Sequence, residues 1–195
     1  MDRRWPATFL SLRESRQFKG GGYNIAMRPT FENKFCTPGD FASRAAALAQ
    51  KRVFTNGVFD VLHRGHVTYL AEARTLGASL IVALNSDASV KRLGKGDDRP
   101  VNTLEDRMAL IAALECVSLV TWFEEDTPMQ RLHEARPEIL VKGGDWPLDK
   151  IVGATEVQSW GGSVHSIAFQ FERSTTATLA RIRRAIAANR RPTTT

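Results

Sequence analysis

Cysteine is nearly absent: the 195 residues hold two, Cys36 and Cys116, outside any CxxC spacing. That excludes a disulfide-held scaffold and suits a reducing, cytoplasmic setting. No apolar run reaches the ~18 residues that a membrane-spanning helix needs, and no internal repeat is visible. At ~100–200 residues per domain, the chain has room for one ordinary domain and not for a second large one. The composition is 43% hydrophobic and 25% charged, which is globular rather than disordered.

Acidic residues are scarce only at the ends. Residues 1–26 carry five basic side chains against two acidic ones. Residues 181–195 carry five arginines and no acid, which leaves 27–180 at −2 of the total +6. A nucleic-acid-binding domain places its basic stripe on the fold itself, so neither a nucleic-acid nor a membrane partner is expected. Residues 1–26 read as a flexible leader with Gly20-Gly21-Gly22 and no apolar signal core. Residues 27–188 read as one domain, and 189–195 as a frayed tail.

Within that domain, strand and helix patterns alternate. Asp40 is placed to cap a helix reaching Ala49. Arg52–Thr55 is a short β-rich run, and a helical pattern follows from Gly65 to Leu76, with Gly77 as its stop. Ser79–Leu84 is unbroken apolar sequence, as in a parallel strand covered on both faces. Asn85 to Asn102 is polar. Thr103, with Asp106 three residues on, opens a helix through Glu115. Strands at 117–121, 139–141 and 164–167 alternate with helices at 128–135 and 174–187. The pattern predicts an α/β fold: a doubly wound, right-handed parallel sheet of Rossmann-like kind, with ligands bound at the carboxyl ends of the strands.

The strongest local signal is Thr55-Asn56-Gly57-Val58-Phe59-Asp60-Val61-Leu62-His63-Arg64-Gly65-His66. It follows the first buried strand and opens a helix, where free N–H groups and the helix dipole favour an anion. Gly57 allows a close backbone approach or a positive φ. His63 and His66 share one helical face and can donate to the same phosphoryl group, with Gly65 leaving room for the ligand. A zinc site would need a third ligand that no nearby residue supplies at suitable spacing. Plain helix-start histidines are the other alternative.

These residues resemble the signature of the cytidylyltransferase-like nucleotidyltransferase superfamily. Asn85-Ser-Asp87, Lys91-Arg92, Arg99-Pro100-Val-Asn102, Glu105-Asp-Arg107, Lys142-Gly143-Gly144-Asp145-Trp146 and Ser174-Thr175-Thr176 follow in order. Together they resemble the heptose 1-phosphate adenylyltransferase group of that superfamily, over about residues 30–185. The resemblance implies transfer of AMP from ATP to D-glycero-β-D-manno-heptose 1-phosphate, giving ADP-heptose for a surface polysaccharide such as lipopolysaccharide. It implies Mg²⁺ held mainly through the ATP phosphates, and dimers, which are common among relatives. No kinase domain of the bifunctional kind fits in this length.

The resemblance also assigns roles. His63, His66 and Lys91 are expected to act in catalysis. Thr55, Asn56, Gly57, Phe59, Arg107, Lys142, Gly143, Asp145, Ser174, Thr175 and Thr176 are expected at the nucleotide and its phosphates. Asp60, Asn85, Asp87, Arg92 and Lys95 are expected at the sugar phosphate. Arg107 sits early in a helix, a poor place for a cation unless an anion faces it; a salt bridge to Asp106 or Glu105 is the plain alternative. Glu172-Arg173 before the Ser-Thr-Thr triplet departs from the family's usual Gly or Ile. Two other readings stay open: a glycerol-3-phosphate-type cytidylyltransferase, and a non-catalytic nucleotide-binding module.

Overall fold

The structure, a computed structural model, describes residues 29–94, 96, 98–171 and 175–189. The expected leader, nearly all of the expected tail, Lys95, Glu172, Arg173 and Ser174 lie outside the described residues. Among the described residues no helix is long and apolar enough to cross a membrane.

The unbroken apolar run forms strand β2, Ser79–Asn85, and all seven of its residues are buried. A strand with no exposed residue belongs in the middle of a sheet covered on both sides. It lies between β1, Arg52–Gly57, and β3, Leu119–Phe123. Strands β4, Ile139–Gly143, and β5, Ser163–Ile167, extend the sheet on the other side of β1. The order is β3-β2-β1-β4-β5 and every pairing is parallel. The winding direction reverses at β1, which is where such folds open a ligand crevice.

Seven α-helices connect and cover the described strands: α1 Phe41–Ala46, α2 Arg64–Thr75, α3 Asp87–Arg92, α4 Leu104–Ala112, α5 Met129–Ala135, α6 Ala154–Ser159 and α7 Thr175–Asn189. Alternate strand residues face opposite sides. On one side Phe54, Ile81, Leu119, Leu140 and Val164 pack with residues of α1, α5 and α6, among them Phe41, Leu132 and Val157. On the other, α2 and α4 lie against β2 and bury Leu70, Ala73, Met108 and Ile111. Each such large side chain, fully buried, contributes ~1.5–3 kcal/mol.

The helix opened by Thr103 forms as its sequence dictates. Thr103 Oγ1 accepts from the Asp106 amide at 3.3 Å and donates to the Asp106 carboxylate at 2.8 Å. Two expectations need correction. Asp40 makes no side-chain cap to α1; its carboxylate instead accepts from Thr37 Oγ1 at 2.8 Å. Gly77 is not a left-handed helix stop: a Cβ there would sit 2.5 Å from the Lys51 carbonyl oxygen, so the glycine permits close passage of the chain beside β1. Within the polar stretch after β2, Ser86 accepts from the Ser89 amide and opens α3.

One detail of the sheet prepares the site. β1 stays paired with β2 as far as Gly57–Leu84. Its pairing with β4 covers only Val53–Ile139 and Phe54–Leu140, while β4 stays paired with β5 as far as Gly143–Ile167. The carboxyl ends of β1 and β4 therefore splay apart. Tyr69 of α2 fills the opening: its hydroxyl bonds Thr55 Oγ1 and donates to the Val141 carbonyl at 3.3 Å. Burial raises this phenol well above its ordinary pKa, so it remains a neutral hydrogen-bonding wedge.

Candidate active site

The loop leaving β1 is pinned from several directions. Asp60 is 1% exposed. Its carboxylate accepts from the amides of Val101 and Asn102 at 2.9 Å and from Arg99 Nε. Burial alone would raise its pKa, but the two amides and the Arg99 guanidinium outweigh that and hold it below the usual carboxylate value. On the other side Arg107, fully buried, donates to the Val58 carbonyl at 2.8 Å, to Asn102 O at 3.2 Å and to Asp87 Oδ1 at 2.7 Å. Between these anchors Phe59 sits at φ 49°, a left-handed conformation costly for a bulky residue. The Arg107 and Asp60 bonds hold that conformation. It turns the Phe59 ring edge-on to His66, 5.2 Å between centroids.

This places the positive φ two residues beyond the glycine that suggested it. Gly57 has ordinary backbone, but a Cβ on it would lie 3.0 Å from Phe59 Cε2. Gly65 makes room in the same way for a protein ring: its Cβ would come within 3.1 Å of His63.

His63 is the N-cap of α2, and its Nδ1 faces the His66 amide at 3.4 Å. An Nδ1 that accepts leaves the proton on Nε2. The two rings stack, with centroids 3.8 Å apart and planes 18° from parallel. Burial pushes the His66 pKa down to about 4, and a charge on His63 would lower it further by repulsion. Its Nδ1 is buried with no hydrogen-bond partner, so a proton there would be an unpaired buried charge. At neutral pH His66 is therefore a neutral imidazole.

Two cavities open at the splayed strand ends. The larger, about 530 Å³, is lined by His63, His66, Phe59, Asp60, Arg99, Thr175 and Thr176, with Gly143, Phe169 and Tyr69 on another wall. Phe169 stands edge-on to both His66 and Tyr69. The smaller, about 280 Å³, is lined by Asn85, Leu93, Asp126, Thr127, Trp146, Lys150 and their neighbours. Asn56, Gly57, Val58 and Lys142 line both.

The profile of the cytidylyltransferase-like family matches residues 54–190. The chain belongs to this family. It is 55% identical over 155 residues to the D-beta-D-heptose 1-phosphate adenylyltransferase of Bordetella bronchiseptica, covering 78% of this chain and 96% of that one. It is 53% identical over 140 residues to the bifunctional protein HldE of Hahella chejuensis. That match covers 72% of this chain but only 29% of HldE. Among solved structures, the lipopolysaccharide core biosynthesis protein of Thermoplasma volcanium is 30% identical with a TM-score of 0.51, over 63% of this chain and 98% of that one.

For this cytidylyltransferase-like chain, the structure brings some expected residues to the cavities and not others. His63, His66, Asn56, Gly57, Phe59, Lys142, Gly143, Thr175 and Thr176 line the larger cavity, and Asn85 lines the smaller. Thr55 is fully buried behind the wall, bonded to Tyr69. Asp60 reaches the cavity, but its carboxylate is committed to Arg99, Val101 and Asn102, so it shapes the loop rather than meeting a sugar phosphate. Arg107 lines neither cavity; the expected phosphate contact gives way to Asp87, Val58 and Asn102, and Asp87 is correspondingly turned to Arg107. Arg92 pairs with Asp126 at 2.8 Å and caps the Glu124 carbonyl. Asp145 and Lys91 are exposed and line neither cavity. Tyr69, Arg99 and Phe169 escaped the sequence reading. Aromatic residues at core-like spacing carry no signal of a site, and Arg99 has none beyond its place in the Arg99-Pro100-Val-Asn102 block.

Proposed function

We propose that this nucleotidyltransferase moves AMP from ATP onto the phosphate of heptose 1-phosphate, giving ADP-heptose and pyrophosphate. The observation that carries this reading is the match to a heptose 1-phosphate adenylyltransferase at 55% identity over 96% of that protein. The geometry supports it. The problem is one anion attacking another, so positioning and charge stabilisation are what the protein must supply. The triphosphate lies at the amino end of α2, where amides, the helix dipole and His63 Nε2–H meet it, with the hydroxyls of Thr175 and Thr176 opposite. The nucleoside rests on Gly143 and Phe169.

The sugar phosphate takes the smaller cavity, where Asn85, Asp126 and the Trp146 ring supply polar and stacking contacts for a polyol. Lys91 and Lys95 belong to a segment with two left-handed glycines, Gly94 at φ 64° and Gly96 at φ 113°. In this reading that segment brings them to the phosphates. Among the described residues, no three His, Cys, Asp or Glu side chains are grouped to hold a metal, and Mg²⁺ enters as part of the MgATP substrate. Residues 27–188 form the catalytic domain in this reading.

The test is pyrophosphate release with Mg²⁺, ATP or CTP, and a panel of sugar and polyol phosphates. Release with ATP and heptose 1-phosphate is expected. Release only with CTP and glycerol 3-phosphate replaces the substrate assignment, and none with any pair makes the protein a nucleotide-binding module.

A further inference from the structure

We propose that Arg99 grips the β- and γ-phosphates of the nucleotide, the part that leaves as pyrophosphate. The inference rests on the adenylyltransferase reading and adds a residue-level role to it. Two buried arginines hold the loop after β1, and they use their donors differently. Arg107 spends all three nitrogens on protein acceptors, at Asn102 O, Val58 O and Asp87 Oδ1. Arg99, whose side chain is 6% exposed, spends only Nε, on Asp60 Oδ2. Among the described residues nothing accepts from its two terminal nitrogens, and Arg99 lines the larger cavity together with His63 and Thr175.

The chemistry of the Asp60 pair explains the difference. An arginine–carboxylate pair is frequently bidentate, with two parallel N–H groups on the two oxygens. Here the backbone has taken much of the carboxylate. Oδ1 accepts from the Val101 and Asn102 amides at 2.9 Å, and Oδ2 lies 3.0 Å from the Val101 amide as well. Arg99 meets the carboxylate through one nitrogen, which leaves four of its five N–H donors. They form the planar fork that matches phosphate oxygens. The pair is neutral overall, so the cavity gains directed donors rather than a net charge.

The position selects the distal phosphates. Asp98, the preceding residue, pairs with Arg183 of α7. Thr175, at the start of α7, donates to the Val61 carbonyl at 3.5 Å. The Arg99 segment, α7 and the loop that carries His63 are thereby tied together. Gly143 and Phe169, where the nucleoside rests in the reading above, belong to another wall of the cavity. A triphosphate that runs from that wall past the amino end of α2 brings its terminal phosphates to Arg99.

In the reaction, an oxygen of the ionised acceptor phosphate forms a bond to the α-phosphorus. The bond from that phosphorus to the oxygen bridging it to the β-phosphate breaks, and pyrophosphate leaves with the electron pair. No proton has to move. Negative charge grows on the departing pyrophosphate as the bond breaks, so N–H donors already held there stabilise the transition state more than the bound substrate.

The experiment compares wild type with Arg99→Met. Calorimetry measures the binding of AMP and of α,β-methylene-ATP, whose α–β linkage cannot be cleaved, well below the melting temperature of each protein. Turnover is followed alongside. In Arg99→Met the Kd for the ATP analogue should rise ~10-fold or more, the loss of hydrogen bonds to a charged group, while AMP binding should hold. Turnover should fall ~10²–10³-fold. Should Arg99→Met not fold because Asp60 is left without its partner, Arg99→Gln combined with Asp60→Asn leaves no buried charge unpaired and makes the same comparison.

An arginine that merely braces Asp60 acts through the loop bearing His63, so its loss would weaken AMP and the ATP analogue by the same factor. That result, or a folded variant that binds the analogue as wild type does, overturns the proposal. Failure of the parent reading is separable: wild type would then release no pyrophosphate from ATP and heptose 1-phosphate, while the comparison of AMP with the ATP analogue needs no acceptor and still decides the role of Arg99.

Discussion

The imidazoles of His63 and His66 lie face to face, 3.8 Å between centroids, with the His66 amide directed at His63 Nδ1. Stacked rings at this distance cannot both carry charge cheaply, and His66 is the one whose burial keeps it neutral, near a pKa of about 4 against an ordinary 6.5. The sign for stability follows. Between those two values the unfolded chain binds the proton and the folded one does not, so stability falls as pH drops through that window. Thermal melts of wild type should lose melting temperature from about pH 6.5 down to about 4 more steeply than those of His66→Gln. An NMR titration of the His66 ring should show its midpoint near 4; a midpoint near 6.5 contradicts the buried neutral ring.

The same ring has a kinetic signature. Removing one preorganised donor at developing phosphate charge costs ~2.7–4 kcal/mol in the transition state. His66→Ala should therefore turn over ~10²–10³-fold more slowly. Its affinity for ATP should change far less, because the ground-state triphosphate has many other partners. Single-turnover rates and equilibrium binding separate the two.

Arg107 makes a contrasting prediction. Its three partners are Asp87, Val58 O and Asn102 O, all protein groups. Arg107→Met should cost about 3 kcal/mol, the lower end for removing one partner of a buried pair, since Asp87 is partly exposed and can rehydrate. Well below its melting temperature the variant should still bind ATP. Denaturant unfolding and calorimetry decide: unchanged stability with lost ATP affinity would return Arg107 to the phosphates.

What could be read beforehand depended on how local the cause was. β2 is legible because seven consecutive buried residues leave no other arrangement. The Thr103 cap and the shared face of His63 and His66 are legible because each is set within one helical turn. The roles of Asp60 and Arg107 are not legible, because their partners are far away in sequence: Arg99 is 39 residues from Asp60, and Asp87 is 20 from Arg107. A charged residue beside a phosphate motif looks the same from the sequence whether it meets substrate or another buried charge. Tyr69 is illegible for the opposite reason, since a buried aromatic usually means core, and Phe169, 40% exposed, has no motif around it to mark a site. α6 leaves no legible hydrophobic pattern, because its six residues hold only two buried ones, Ala154 and Val157.

The nucleoside wall gives the last test. A Cβ on Gly143 would lie 2.9 Å from Phe169 Cζ and 3.1 Å from Tyr69 Cζ. The two rings do not yield equally. Tyr69 is buried and its hydroxyl is bonded at both ends of the strand gap, whereas Phe169 is 40% exposed on the cavity side. Gly143→Ala should therefore push Phe169 into the space the nucleoside needs. The stability loss should fall at the low end of the ~1–3 kcal/mol typical of overpacking, because the ring that moves is half in solvent. KM for ATP should rise clearly, while KM for the acceptor should hold, since neither Gly143 nor Phe169 lines the smaller cavity. Combining Gly143→Ala with Phe169→Ala should relieve part of the ATP defect, a non-additivity expected of residues in contact. If Gly143→Ala instead lowers stability and leaves ATP binding intact, the nucleoside does not rest on this wall.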